Sequence, residues 1–120
     1  MSLRPRMRQA LREAMSARDK TAVSALRSTL AALDNAEAVP ADASETRGLA
    51  IEQLPVGAGA TEVTRRELSE SHVVDIVRSE ADERLAVVAQ LTAPAHAARA
   101  ARLREEAAVL HRLLDEADAA

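Results

Sequence analysis

The sequence predicts an all-α fold, two helical hairpins packed as a four-helix bundle, and three observations predict it. Apolar residues recur at spacings of three and four in four separate stretches, the period of an amphipathic helix. All three glycines (Gly48, Gly57, Gly59) and two of the four prolines (Pro40, Pro55) fall together in one segment between the second and third of these stretches. The apolar content, 48% of the chain, includes no Phe, Trp or Tyr, so the core must be built from small and branched aliphatic side chains.

The first stretch carries Leu3, Met7, Leu11, Ala14 and Met15 on one stripe and predicts a helix over about 3–17, with Ser2 as its cap. Pro5 falls in the first turn, where its missing N–H has no intrahelical partner to lose. Asp19 is placed to cap a second helix over about 20–38, in which Val23, Leu26, Leu30 and Leu33 repeat before Pro40. The short link makes these two helices antiparallel neighbours, and Ala10, Ala14, Ala22 and Ala25 allow close approach. Residues 40–66 read as a long Gly/Pro-containing connector held down by Leu49, Ile51, Leu54 and Val56. Ser69 or Ser71 opens a third helix over about 70–92, with Val73, Val77, Ala81, Leu85 and Val88 inward and Glu80–Arg84 as a surface pair. Pro94 stops it. A fourth helix over about 95–117 places Ala100, Leu103, Ala107, Leu110, Leu114 and Ala117 inward, with Arg102–Glu106 and Arg112–Glu116 as i,i+4 pairs. The whole chain, 1–120, reads as a single helical domain.

Composition narrows the function classes. Twenty-nine per cent charged residues and a net charge of -3 describe a folded soluble protein, not a disordered one. The absence of Cys excludes disulfides, thiolate zinc sites and cysteine nucleophiles. The absence of aromatic rings excludes the stacking platforms on which single-strand modules hold bases. No continuous apolar run follows the N-terminal arginines, so neither a signal peptide nor a membrane span is read, and a cytoplasmic location is expected.

Motifs for catalysis are missing. Gly57-Ala58-Gly59 lacks the third glycine of a dinucleotide loop, and Lys20, the only lysine, belongs to no phosphate-binding loop. His72 with Asp75, and His111 with Asp115, are at most half of a metal site, and the histidines read as surface or helix-end residues. The serines read as caps and turns, with no nucleophile elbow. Neighbouring acids such as Glu105 and Glu106 diverge around a helix and form no acid/base dyad. No catalytic, cofactor-binding or metal-binding residue is therefore assigned, and no cofactor is expected.

Binding is better served. Seven basic residues stand against two acids up to Arg27, which permits an anionic partner at that end or attraction between the molecule's own halves. Arg4, Arg8 and Arg12 form a row about 6 Å apart along the first helix, a spacing that meets successive phosphates of an RNA backbone. Arg27 extends this candidate nucleic-acid surface, and Arg65 and Arg66 make a second basic spot beside the connector. The plain alternative is that these arginines solubilise a helix face.

Several segments carry a family likeness: Leu26-Arg27, the run from Ala32 to Pro40 (Ala-Leu-Asp-Asn-Ala-Glu-Ala-Val-Pro), Arg65-Arg66-Glu67-Leu68, and the run from Arg102 to Leu110 (Arg-Leu-Arg-Glu-Glu-Ala-Ala-Val-Leu). In their order these motifs, spanning most of both hairpins, resemble the GatB/YqeY family, in particular its short Ala/Arg-rich form. The resemblance implies a helical domain related to the C-terminal region of the B subunit of the tRNA-dependent amidotransferase, where the related region helps to hold tRNA. The chain stops soon after Leu114, so the resemblance implies a form without the family's small C-terminal helical module. The kinase fold and the glutaminase subunit are absent, so the family label, carbon-nitrogen ligase activity with glutamine as amido-N-donor, is read as inheritance and not as an activity of this polypeptide.

Two functions from different classes are thus expected. One is a non-catalytic accessory domain that binds tRNA or associates with the amidotransferase. The other is a protein-interaction or structural module without RNA binding, docking through residues around Leu49–Val56 or an exposed alanine seam. Neither involves a membrane or a small-molecule cofactor, and the oligomeric state is left open.

Overall fold

The computed structural model describes residues 2–38 and 67–119. These residues form four α-helices: α1 (Leu3–Ala17), α2 (Lys20–Ala38), α3 (Glu70–Gln90) and α4 (Ala97–Ala119), with one 3-10 turn at Pro94–His96. There is no strand among the described residues. The connector expected over 40–66 lies outside them.

The joint between α1 and α2 is built from only two residues. Arg18 adopts the left-handed conformation (φ 58°, ψ 35°), and its N–H donates to the Met15 carbonyl at 3.2 Å while the Asp19 N–H donates to that of Ala14 at 2.9 Å. This is the Schellman ending, in which the last carbonyls of a helix are satisfied from beyond it. Asp19 then starts α2 as expected, its Oδ1 accepting the Ala22 N–H at 3.1 Å.

The start of α1 differs from expectation. Ser2 has the extended backbone of a cap, but its side chain makes no capping hydrogen bond. Instead the Leu3 N–H donates to both carboxylate oxygens of Glu70, at 3.0 and 3.4 Å. A carboxylate is a stronger acceptor than a hydroxyl and also complements the positive end of the helix. Glu70 stands in the first turn of α3 as well, so one side chain faces two helix N-termini. Ser69, not Ser71, caps α3, its Oγ accepting the His72 N–H at 3.2 Å.

α3 ends at Gln90 and α4 begins at Ala97, against expected bounds of 92 and 95. Pro94 forces Ala93 into extended geometry (φ -71°, ψ 143°) and takes the first position of the 3-10 turn, so α3 is already over when the proline is reached. α4 continues to Ala119.

The largest side chains removed from solvent are Leu3 and Met7 of α1, Leu26, Thr29 and Leu33 of α2, Val77 of α3 and Leu110 of α4. Ala22, Ala25, Ala81, Ala100 and Ala107 fill the space between the backbones. α3 packs most extensively on α4, α1 lies against α2, and α2 also reaches both α3 and α4. Two expected core residues are on the surface: Met15 and Leu85 are 50% and 41% exposed. Past Ala81 the covered face of α3 runs through Arg84 and Val88, which are at least partly covered, and leaves Leu85 at its edge. On α4, Leu113 joins Leu110 and Leu114 in the interior, because α1 and α2 both approach this half of the helix and need a wider apolar face than one stripe.

Charge pairing also reorganises. Arg84 keeps the expected i,i+4 pair with Glu80, Nη1 to Oε1 at 3.5 Å, but as an inward-lying clamp with only 11% of its side chain exposed and not as a surface partner. Its Nε donates to Glu106 Oε1 at 2.8 Å, Nη1 to the Glu80 carbonyl at 2.8 Å, and Nη2 to Ser28 Oγ at 2.6 Å. Glu106 and Glu116, expected to pair with Arg102 and Arg112, bind Arg84 and Arg6 from other helices, at 2.8 and 3.0 Å. A cross-helix partner already ordered by packing loses less side-chain freedom than two solvated neighbours do.

Candidate functional site

The basic row of α1 is divided by its surroundings. Arg4 Nη1 donates to Glu37 Oε2 at 3.0 Å, and the Arg4 side chain is largely covered. Arg4 therefore ties the first turn of α1 to the last turn of α2 and offers little charge outward. Arg6 is similarly held, between Glu116 at 3.0 Å and Glu13 at 3.6 Å. Arg8, Arg12 and Arg27 are exposed and form no ion pair with any described residue. Arg65 and Arg66 lie outside the described residues.

Two cations join them that the sequence reading did not single out. Arg18 and Lys20 flank Asp19 at the α1–α2 joint, and both are exposed without an ion pair. The charge excess up to Arg27 already counted them, but their direction depends on the Schellman turn, which no residue pattern with an arginine at the glycine-favoured position announces. Five unpaired cations are thus carried by α1, the joint and the first half of α2. Two acids lie among them: Glu13, 60% exposed, reaches Arg6 at 3.6 Å and shares a shallow hollow with Arg12, and Asp19, exposed between Arg18 and Lys20, has its Oδ1 held by the Ala22 amide.

Beside the joint the surface sinks into an open hollow of about 830 Å³ lined by Met15, Arg18, Lys20, Val23, Ser24, Arg27 and Ser28. Its floor is apolar, from Met15 and Val23, its rim has three cations, and no carboxylate lines it.

Other clusters offer less chemistry. Ser69 Oγ lies 3.1 Å from Ser71 Oγ and 3.0 Å from His72 Nδ1, but the same Oγ accepts the His72 amide as a helix cap, and all three residues are exposed. Neither His72 with Asp75 nor His111 with Asp115 acquires a third ligand: among the described residues no group of three or more His, Asp or Glu could hold a metal ion. A smaller cleft of about 260 Å³ between α1, α2 and α4 is rimmed by residues of both signs, Arg6, Glu13, Asp19, Arg112 and Glu116, over alanines. No helix among the described residues is long and apolar enough to cross a membrane.

No family model, curated protein or solved structure matches the chain. The functional reading accordingly rests on the residues themselves and on the motif resemblance given above.

Proposed function

We propose that the chain is a non-catalytic accessory helical domain, two docked helical hairpins joined by a connector, that holds RNA by its phosphate backbone. The resemblance to the GatB/YqeY family names tRNA as the RNA and the amidotransferase as the associated enzyme. The observation that carries the reading is the set of unpaired cations Arg8, Arg12, Arg18, Lys20 and Arg27, carried in succession by α1, the joint and the first half of α2, while Arg4 and Arg6 are tied into internal ion pairs. Arg8 and Arg12, one turn apart on an exposed face, present guanidinium groups at the interval of neighbouring phosphates. Such contacts position a nucleic acid without reading its bases, which suits a chain that has no ring to stack on them. No reaction is assigned to these residues.

The test is tRNA binding by the full chain as a function of salt. Each phosphate contact contributes about 0.7 to 0.9 to the slope of log affinity against log salt, so the double variant Arg8→Ala/Arg12→Ala should lower that slope by roughly 1.5. Arg4→Ala should leave the slope unchanged, because Glu37 already neutralises that side chain. Absence of tRNA binding by the native chain at about 20 mM salt, where phosphate contacts are least screened, rejects the proposal. A second reading, a protein-interaction module without RNA, is favoured by one feature, the apolar floor between Met15 and Val23.

A further inference from the structure

We infer that the hollow at the α1–α2 joint is a docking site for an acidic protein segment carrying one aliphatic side chain between its carboxylates. The inference does not rest on the RNA reading, since it turns on what fills the floor and not only on what neutralises the rim. Met15 is half exposed although it continues the apolar stripe of α1, and Val23 beside it is only partly covered. A methionine on a surface is an adaptable contact, flexible and polarisable, that fits the side chain offered to it. Around it, Arg18, Lys20 and Arg27 have no carboxylate partner of their own, and their aliphatic stems can lie over an inserted side chain while their charged heads meet acids.

Dimensions fix the occupant further. Lys20 and Arg27 are seven residues apart on α2, about 10 Å along the helix axis. In an extended chain positions one, three and five share one face over about 13 Å, so carboxylates at one and five reach both cations through their long side chains with an aliphatic residue at three between them. Ser24 stands between the two cations with its hydroxyl exposed, while Ser28 is engaged with Arg84 and the Ala25 carbonyl. A sugar-phosphate backbone would satisfy the rim equally but brings no aliphatic side chain, and would leave Met15 and Val23 facing water. The backbone of Arg18 points the same way. A left-handed C-terminal position favours glycine, and an arginine there gives up conformational stability while placing a third cation at the end of the hollow.

The experiment is a titration of the full-length isotope-labelled chain with a synthetic dodecapeptide whose core is Glu-Ala-Leu-Ala-Glu, followed by NMR. Chemical-shift changes are expected at the Met15 methyl group and at the amides of Ser24 and Arg27. Replacing the peptide leucine by glutamine should weaken binding about tenfold, the equivalent of partial burial of one leucine. Met15→Ser, with its helical circular dichroism unchanged, should weaken peptide binding about fivefold and leave tRNA binding as it was. Arg8→Ala/Arg12→Ala should do the reverse. The inference is overturned by no binding at millimolar peptide, by binding indifferent to the leucine or to Met15, by shifts centred outside the hollow, or by Met15→Ser reducing tRNA and peptide binding together, which would assign the hollow to RNA.

Discussion

Thr29 offers a direct measure of how well the interior is satisfied. It lies on the core face of α2, wholly buried at 0% exposure, and its Oγ1 has no hydrogen-bond partner. In the unfolded chain that hydroxyl is hydrated, so burying it unpaired costs about 1–3 kcal/mol. Thr29→Val removes the hydroxyl, keeps the branched shape, and adds a buried methyl worth about 0.8 kcal/mol. Helix propensity hardly separates the two residues. The expected gain is therefore about 2 kcal/mol, or a rise of roughly 6 to 10 °C in Tm for a domain of this length. Thermal unfolding followed by circular dichroism at 222 nm measures it, as the chain has no Trp or Tyr to report by fluorescence. Thr29→Ser, which keeps the hydroxyl and loses the methyl, should be destabilised by about 1 kcal/mol. If Thr29→Val proves neutral or destabilising with a native spectrum, the hydroxyl is satisfied in the folded state, most simply by the Ala25 carbonyl one turn back, and the reasoning fails.

Leu110 and Leu85 form a contrasting pair on the two most extensively packed helices. Leu110→Ala, at a fully buried site, should cost about 2–5 kcal/mol, whereas Leu85→Ala should cost less than about 1 kcal/mol, and comparable losses in urea unfolding would show that Leu85 is packed and not at the edge of the covered face. Arg18→Gly should stabilise the chain by about 1 kcal/mol by relieving the left-handed position, while reducing acidic-peptide binding; a loss of stability in the same urea assay would contradict the Schellman assignment.

What the sequence made legible was local. The stripe from Leu3 to Ala14, the cap at Asp19 and the bounds of α1 and α2 follow from spacings within a few residues, and the structure reproduces them, while of the two serines the sequence offers for α3 it takes Ser69. Partnerships between helices were not legible in this way. Nothing in the neighbourhood of Leu3 indicates that a carboxylate 67 positions away will cap it, and nothing near Glu106 or Glu116 shows that Arg84 and Arg6 will take the place of Arg102 and Arg112, four residues before them. The extent of the apolar face on each helix was misjudged for the same reason: Met15 and Leu113 have the periodicity of core residues and of near-core residues respectively, but which is covered depends on where the other helices run. At the candidate surface, residue type identified Arg8, Arg12 and Arg27, while the separation of Arg4 from them required seeing Glu37.

The first turn of α1 holds two acids that belong to opposite ends of the chain's midsection. Arg4 grips Glu37, one residue before α2 finishes, and the Leu3 amide grips Glu70, where α3 begins. The exit and re-entry points of everything between them are thereby moored to a single anchorage. The separation of the end of α2 from the start of α3 is therefore set in part by α1, a helix that borders that gap in sequence on neither side.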